Sequence, residues 1–303
     1  MTRIFDAAHV RRAFSRASTT YTAAAALQRD IEAQLLESLD YLDDRVPGVV
    51  LDVGSGPAHA ALAMRARWPK ARIVALDLAL PMLRQAPVGA GAGMLAKLGL
   101  QPRPVDRVCA DLRALPLADN SVDVLVSNLC LQWVDDLSAA FAGFRRVLKP
   151  DGLLLVSTFG PQSLIELREA FGHADDTPHV SPFVSIGEFG DALMRAGFRN
   201  PVLDRDLAVH WHPDMASLMR EQRAIGATNA LATRRRSMTG RARFAAAAAH
   251  YEQFRTPQGL PASWEWITAM AWSPAHGAPI RDGGEELARF DASAIPVRRR
   301  SGT

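Results

Sequence analysis

Val49-Val50-Leu51-Asp52-Val53-Gly54-Ser55-Gly56-Pro57-Ala58-His59 joins a short apolar run to a glycine turn. The run is unbroken, as expected of a strand covered on both faces. A helix is predicted from 57 to about 68, with Pro57 at its first position and Pro69 just past its end. Working outward, strand-like runs recur at 72–77, 107–111, 122–128 and 153–156. A helical stripe of Leu137, Phe141, Phe144 and Leu148 precedes the last of these, with Pro150-Asp151-Gly152 read as the turn between them. Short apolar strands alternating with helices predict an α/β fold with a mostly parallel sheet.

The flanks divide the chain further. Residues 9–42 read as two helices, so 1–44 is expected to be a helical N-terminal cover. Residues 45–212 form the expected α/β core, with helices near 162–171 and 188–196, a loop at 172–182 and a strand at 201–211. An Arg- and Ala-rich helical insertion, 213–258, reads as a lid. The last strand falls within 259–272, and 273–303 is expected to be a disordered tail.

Composition bounds the function. The 303 residues are 48% hydrophobic and 22% charged, ordinary for a globular chain with a full core. No apolar run approaches the ~20 residues of a membrane span, and the N-terminus lacks a secretory pattern. Cys109 and Cys130 stand at no metal-like spacing. A reducing cytoplasm is the expected setting, and neither a metal nor a membrane partner is expected.

The glycine loop discriminates between ligands. A dinucleotide fingerprint would want glycine at 59, where this chain has His59. Asp52 would repel a pyrophosphate, and Pro57 removes an N–H from the helix start where anions are held. A sulfonium and an ammonium both favour a nearby carboxylate. Asp77 ends the second strand, placed to accept both hydroxyls of a ribose. Asp111-Leu112 at the third strand end could supply an amine acceptor and an apolar neighbour. Asp52, Gly54, Gly56, Asp77 and Asp111 in register therefore point to S-adenosylmethionine (SAM), and the pattern resembles the class I methyltransferases, with a Rossmann-like sheet. Ala58 stands where many of them have a third glycine. Met82, Leu112, Asn128 and Gln28 complete the candidate cofactor residues.

The methyl acceptor is read from Ser127-Asn128-Leu129-Cys130-Leu131-Gln132-Trp133. The Asp/Asn-Pro-Pro-aromatic signature of amine methylation on bases is absent, and Cys130 reads as an inert thiol rather than a nucleophile. No His/Asp or Cys/His relay stands out. None is needed if the acceptor is already an anion, for which proximity and alignment suffice.

Several segments resemble the malonyl-acyl-carrier-protein O-methyltransferases of biotin synthesis, the BioC family. They are Ala13-Phe14-Ser15-Arg16-Ala17 with Tyr21 and Leu27-Gln28-Arg29, Ser127-Asn128-Leu129 with Gln132-Trp133, Gly160-Pro161-Gln162-Ser163-Leu164, residues 179–183, and Ile225-Gly226-Ala227-Thr228-Asn229. The resemblance implies a malonyl thioester on an acidic acyl-carrier protein as substrate, methylated on its free carboxylate. It suggests Tyr21, Trp133, Ser163 and His179 at the acceptor. The lid carries eight arginines against three acids. Arg220, Arg223, Arg234, Arg235, Arg236, Arg241 and Arg243 are expected to form the docking surface for the carrier. Other readings remain open: a small-acid or quinone methyltransferase, a SAM-binding assembly factor acting on a protein, or an RNA methyltransferase. Little aromatic residue is interleaved with the lid arginines, so no nucleic-acid partner is expected.

Overall fold

The computed structural model describes residues 3–42, 45–86, 104–235, 237, 239–278, 280–282 and 285–287, the last two ranges as backbone. Strands β1 (Val49–Val53), β2 (Arg72–Asp77), β3 (Asp106–Cys109), β4 (Val122–Ser127) and β5 (Leu148–Phe159) run parallel. Strands β6 (Arg199–His212) and β7 (Leu260–Trp272) complete one seven-stranded sheet in the order β3-β2-β1-β4-β5-β7-β6. β7 is antiparallel to both neighbours. The expected mostly parallel sheet is present.

The unbroken apolar strands bury both faces. Leu51, Val53, Leu154 and Val156 pack against Phe141 and Phe144 of α6 (Leu137–Val147) and Phe189 of α8 (Ile186–Arg195). Val50, Leu153 and Leu155 point the other way, onto α4 (His59–Arg67) and onto Leu35 of α3 (Ala26–Glu37). The period of two along each strand dictates this division.

Four local expectations change. The N-terminal cover is three helices, α1 (Ala7–Ala17), α2 (Tyr21–Ala24) and α3. α4 begins at His59, not Pro57, because Ala58 is left-handed at φ 66° and breaks the helical path. An L-residue pays about 1–2 kcal/mol for that conformation, and the alanine methyl is fully buried there. Pro150-Asp151-Gly152 is not a turn between elements. It lies inside β5, where Asp151 at φ 57° accompanies a register shift opposite Val122 to Val124. In the expected tail, Ile280–Asp282 pairs antiparallel with Glu285–Leu287.

The lid insertion holds α9 (Met215–Ala224) and α10 (Arg241–Tyr251), with α10 packed on α7 (Ile165–Ala174). Between its two helices the lid crosses the N-terminal segment. Asp6 N–H donates to Ala230 O at 2.8 Å and Ala232 N–H to Ile4 O at 2.7 Å. No helix of the described residues is long and apolar enough to cross a membrane.

Candidate active site

Strand order reverses between β1 and β4, so the connections leaving them diverge and open a crevice at their carboxyl ends. Two cavities lie there. The smaller, about 100 Å³, is lined by Gly54, Gly56, Asp77, Met82, Asp111, Leu112 and Asn128, all residues expected at a cofactor. The larger, about 640 Å³, is enclosed by α1–α3, α7, the loop after it and the lid. Phe14, Tyr21, Leu129 and Trp133 line both, and so form the wall where the two meet.

The glycine loop explains the smaller cavity. Gly54 and Gly56 are left-handed, at φ 71° and 51°. A Cβ on Gly54 would stand 2.3 Å from Cys130 Sγ, so only glycine admits this approach. Asp77 accepts from Gly56 N–H at 2.9 Å and from Ala79 N–H at 2.7 Å. Each oxygen keeps acceptor capacity beyond these two bonds. Burial pushes Asp77 up, against the two N–H donors. Asp111 is held down by Arg113, whose N–H and Nε–H both bond its Oδ1. Asn128 ties the end of β4 to the cover helices: its amide donates to the Gln28 carbonyl at 2.9 Å and its Oδ1 accepts from Ser157 at 2.7 Å.

Two expected cofactor residues sit elsewhere. Asp52 lines neither cavity. It is buried, its Oδ2 accepts from Ala61 N–H at 3.1 Å, and it acts on the site only through its field. Gln28 lines the larger cavity, because its place on α3 faces the lid. A residue missed in the sequence is Glu32, four positions on from Gln28 and on the same helical face. Burial drives Glu32 up to about 7 and Asp52 well above the usual range, with Glu32 adding to the rise of Asp52. Asp52, Asp77 and Glu32 make no ion pair among the described residues. Such a group of strained acids suits a ligand carrying positive charge, and this electrostatic fit supports SAM rather than a phosphate.

Tyr21 lies over Gly56, with Cε1 3.9 Å from where a Cβ would stand. Burial and the neighbouring Asp77 and Glu32 push its hydroxyl up, so it stays a proton donor. Cys130 is likewise pushed up by burial, consistent with an inert thiol. Trp133 packs edge-on against Phe5 and Phe14, at centroid distances of 6.1 and 5.6 Å. Its cavity-facing position and its packing role coexist.

Ser163 is corrected outright. It is fully buried and lines neither cavity. Its hydroxyl donates to Glu265 O at 2.7 Å and accepts from Glu265 N–H at 3.0 Å, so both roles are consumed by β7. His179 does line the larger cavity. Its ring stacks on Phe171 at 4.2 Å and its Nε2 faces Asp175 at 3.4 Å, which fixes it as a wall rather than a free base.

The lid arginines also divide. Arg234 is turned inward and paired with Asp6 at 3.0 Å, and Arg235 bonds Asp175 at 3.1 Å. Both line the larger cavity, with Arg223 and with Arg12 of α1, which the sequence reading missed. The expectation that Arg234 and Arg235 sit on an outer rim is therefore corrected: acids on the N-terminal segment and on the loop after α7 draw them in. Arg220, Arg241 and Arg243 remain exposed. Arg236 lies outside the described residues. Asp175 was also missed. The Thr177 N–H, Arg235 and His179 hold its carboxyl far below the usual range, and Arg243 approaches it to 3.7 Å.

A methyltransferase domain model matches residues 51–156. The chain is 53% identical, over 99% of both lengths, to the malonyl-[acyl-carrier protein] O-methyltransferase of Xylella fastidiosa (strain M23). It is 38% identical, over 85% of its own length and 45% of the relative's, to the biotin biosynthesis bifunctional protein BioHC of Saccharophagus degradans. Among solved structures, the YcgJ protein from Bacillus subtilis shares the fold, with a TM-score of 0.54 at 17% identity over 79% of this chain and 97% of that one. At that identity over its whole length, and with the methyltransferase domain match, the chain belongs to the malonyl-[acyl-carrier protein] O-methyltransferase family of SAM-dependent methyltransferases.

Proposed function

We propose that this enzyme esterifies the free carboxylate of a malonyl group carried on the pantetheine arm of an acyl-carrier protein, in biotin synthesis. The observation that supports this best is the shared wall. A crevice lined by the glycine loop and Asp77 meets a much larger cavity at Tyr21, Leu129, Phe14 and Trp133.

The larger cavity suits an anionic, elongated acceptor. Arg12, Arg223, Arg234 and Arg235 line it against the single lining acid Asp6. With two of the arginines spent on Asp6 and Asp175, Arg12 and Arg223 remain to attract an anion. Its apolar stretch includes Phe159, Leu167, Phe171 and Val180. Trp264 and Gln132 belong to the same wall.

The glycine loop, Asp77 and Asn128 would hold SAM, which would supply an electrophilic methyl on a sulfonium. The chain's own work is then positional. Arginines draw the carboxylate in, the Tyr21 hydroxyl donates a hydrogen bond at the junction, and the aromatic wall excludes water. One carboxylate oxygen would form the new bond to the methyl carbon as the carbon–sulfur bond breaks with its electron pair left on sulfur, so S-adenosylhomocysteine would leave as a neutral thioether and no proton would change hands. Such a transfer asks no base of His179, which is stacked and paired, or of Tyr21, which stays protonated. The ester removes the charge that would make burial of the malonyl end in an apolar site prohibitive.

The test is radiolabelled SAM with malonyl-carrier protein and, separately, free malonate. Label is expected on the carrier, released by mild base, with malonate at least about a hundredfold less efficient because it forgoes the binding energy of the arm and carrier. Comparable efficiency on free malonate would assign a small-acid enzyme instead.

A further inference from the structure

α7 and α10 pack side by side through Ala170, Phe171, Ala247 and the buried ring of Tyr251. At the exposed edge of this contact stand Glu169, His173 and His250. Glu169 and His173 are four residues apart on one face of α7. His250 comes from α10, on the lid. Its ring stacks on that of His173 with centroids 3.6 Å apart, and its Nε2 lies 3.6 Å from Glu169 Oε1 and bonds the Gln253 side-chain amide, which a metal ion would displace. One ligand atom from each of the three side chains falls within 4.8 Å of the other two.

We propose that Glu169, His173 and His250 form a surface site for a divalent transition metal, zinc in the first instance, that clamps the lid to the core. The donor set carries the choice of metal. Two imidazoles and one carboxylate suit zinc, nickel or copper and disfavour magnesium or calcium, which take oxygen ligands. The spacing carries the geometry. Around a tetrahedral zinc with bonds of about 2.0–2.1 Å, neighbouring donors lie about 3.4 Å apart, and His250 Nε2 and Glu169 Oε1 already stand at nearly that separation. Rotation of the exposed His173 side chain brings in the third. Solvent would complete the coordination.

The site is separate from methyl transfer, since none of the three lines either cavity. Its consequence is mechanical. α7 contributes Leu167 and Phe171 to the wall of the larger cavity, and α10 belongs to the lid that covers it. A metal ion bridging the two helices fixes the cover to the wall. Neither the spacing of Glu169 and His173 nor the lone His250 signals this in the sequence, because the third ligand is 77 positions further on.

The experiment is calorimetric titration of the full, tag-free chain with zinc chloride at pH 7.5, alongside His250→Ala, His173→Ala and Glu169→Gln. One zinc is expected per wild-type chain, with affinity falling at least tenfold in each histidine variant. Zinc should raise the melting temperature of the wild type and slow amide exchange in α10, and it should do neither in His250→Ala. The variants should match the wild type in melting temperature without metal, which separates loss of a ligand from loss of folding. Wild-type and His250→Ala chains binding zinc with equal affinity, or no zinc binding at all, would overturn the proposal.

Discussion

At the scale of single residues, the acids around the glycine loop give the enzyme a pH signature. Glu32 has its carboxyl raised from the ordinary 4.5 to about 7, chiefly by burial, with the Ala60 N–H and Arg29 opposing. A raised acid favours the protonated folded state. Its penalty on folding is absent below pH 4.5, grows between 4.5 and about 7, and is complete above that. The gap corresponds to about 3 kcal/mol. Glu32→Gln retains an acceptor for the Ala60 N–H but cannot ionise. It is expected to raise the unfolding free energy by about 1–3 kcal/mol at pH 8 and to leave it unchanged near pH 4.5. Urea unfolding across that range is the check; an equal gain at both ends would trace the effect to packing instead. Asp52 and Asp77 are raised in the same sense, chiefly by burial.

At the scale of elements, the lid works by splitting its charge. Arg234 and Arg235 face inward and are neutralised by Asp6 and Asp175, which lie 228 and 60 positions away in the chain. Reversing them would break the cavity wall and report nothing about docking. The outward arginines on α9 and α10 test the carrier. Arg220→Glu with Arg241→Glu is expected to raise the Michaelis constant for the carrier several-fold at low salt and to leave SAM affinity and melting temperature unchanged. The effect should disappear near 1 M salt, where the Debye length falls to ~3 Å from ~10 Å at 0.1 M. Kinetics that ignore both the reversal and the salt would move the carrier to another face.

At the scale of the molecule, the sheet and the cover are distinct bodies of packing. The two cores that flank the sheet draw nothing from α1 or α2. Those helices instead join two small clusters, one of Phe5, Val10, Ala230 and Leu231 with the lid, the other of Ala17, Ala79 and Met82 over the crevice. A chain beginning at Ala25 should therefore keep a cooperatively unfolding sheet by circular dichroism. It should bind SAM at least about tenfold more weakly, a loss of about 1.4 kcal/mol or more, because Phe14 and Tyr21 wall both cavities. SAM affinity equal to that of the full chain would show that the N-terminal helices serve the acceptor alone.

What the sequence determined by itself is local and periodic. The unbroken apolar runs announced buried parallel strands, and the acids at their ends placed Gly54, Gly56, Asp77, Asp111 and Asn128 around one crevice, because a parallel sheet brings its strand ends together. Only the tertiary structure decided which polar groups are free to act. Ser163 looks available in a loop but is consumed by Glu265, 102 residues on. Arg234 looks like surface charge but is drawn inward by Asp6. Glu169, His173 and His250 converge only because α10 packs on α7. Periodicity fixes which face of an element is buried; the partner it meets there depends on contacts far apart in the chain, for which a single sequence carries no local signal.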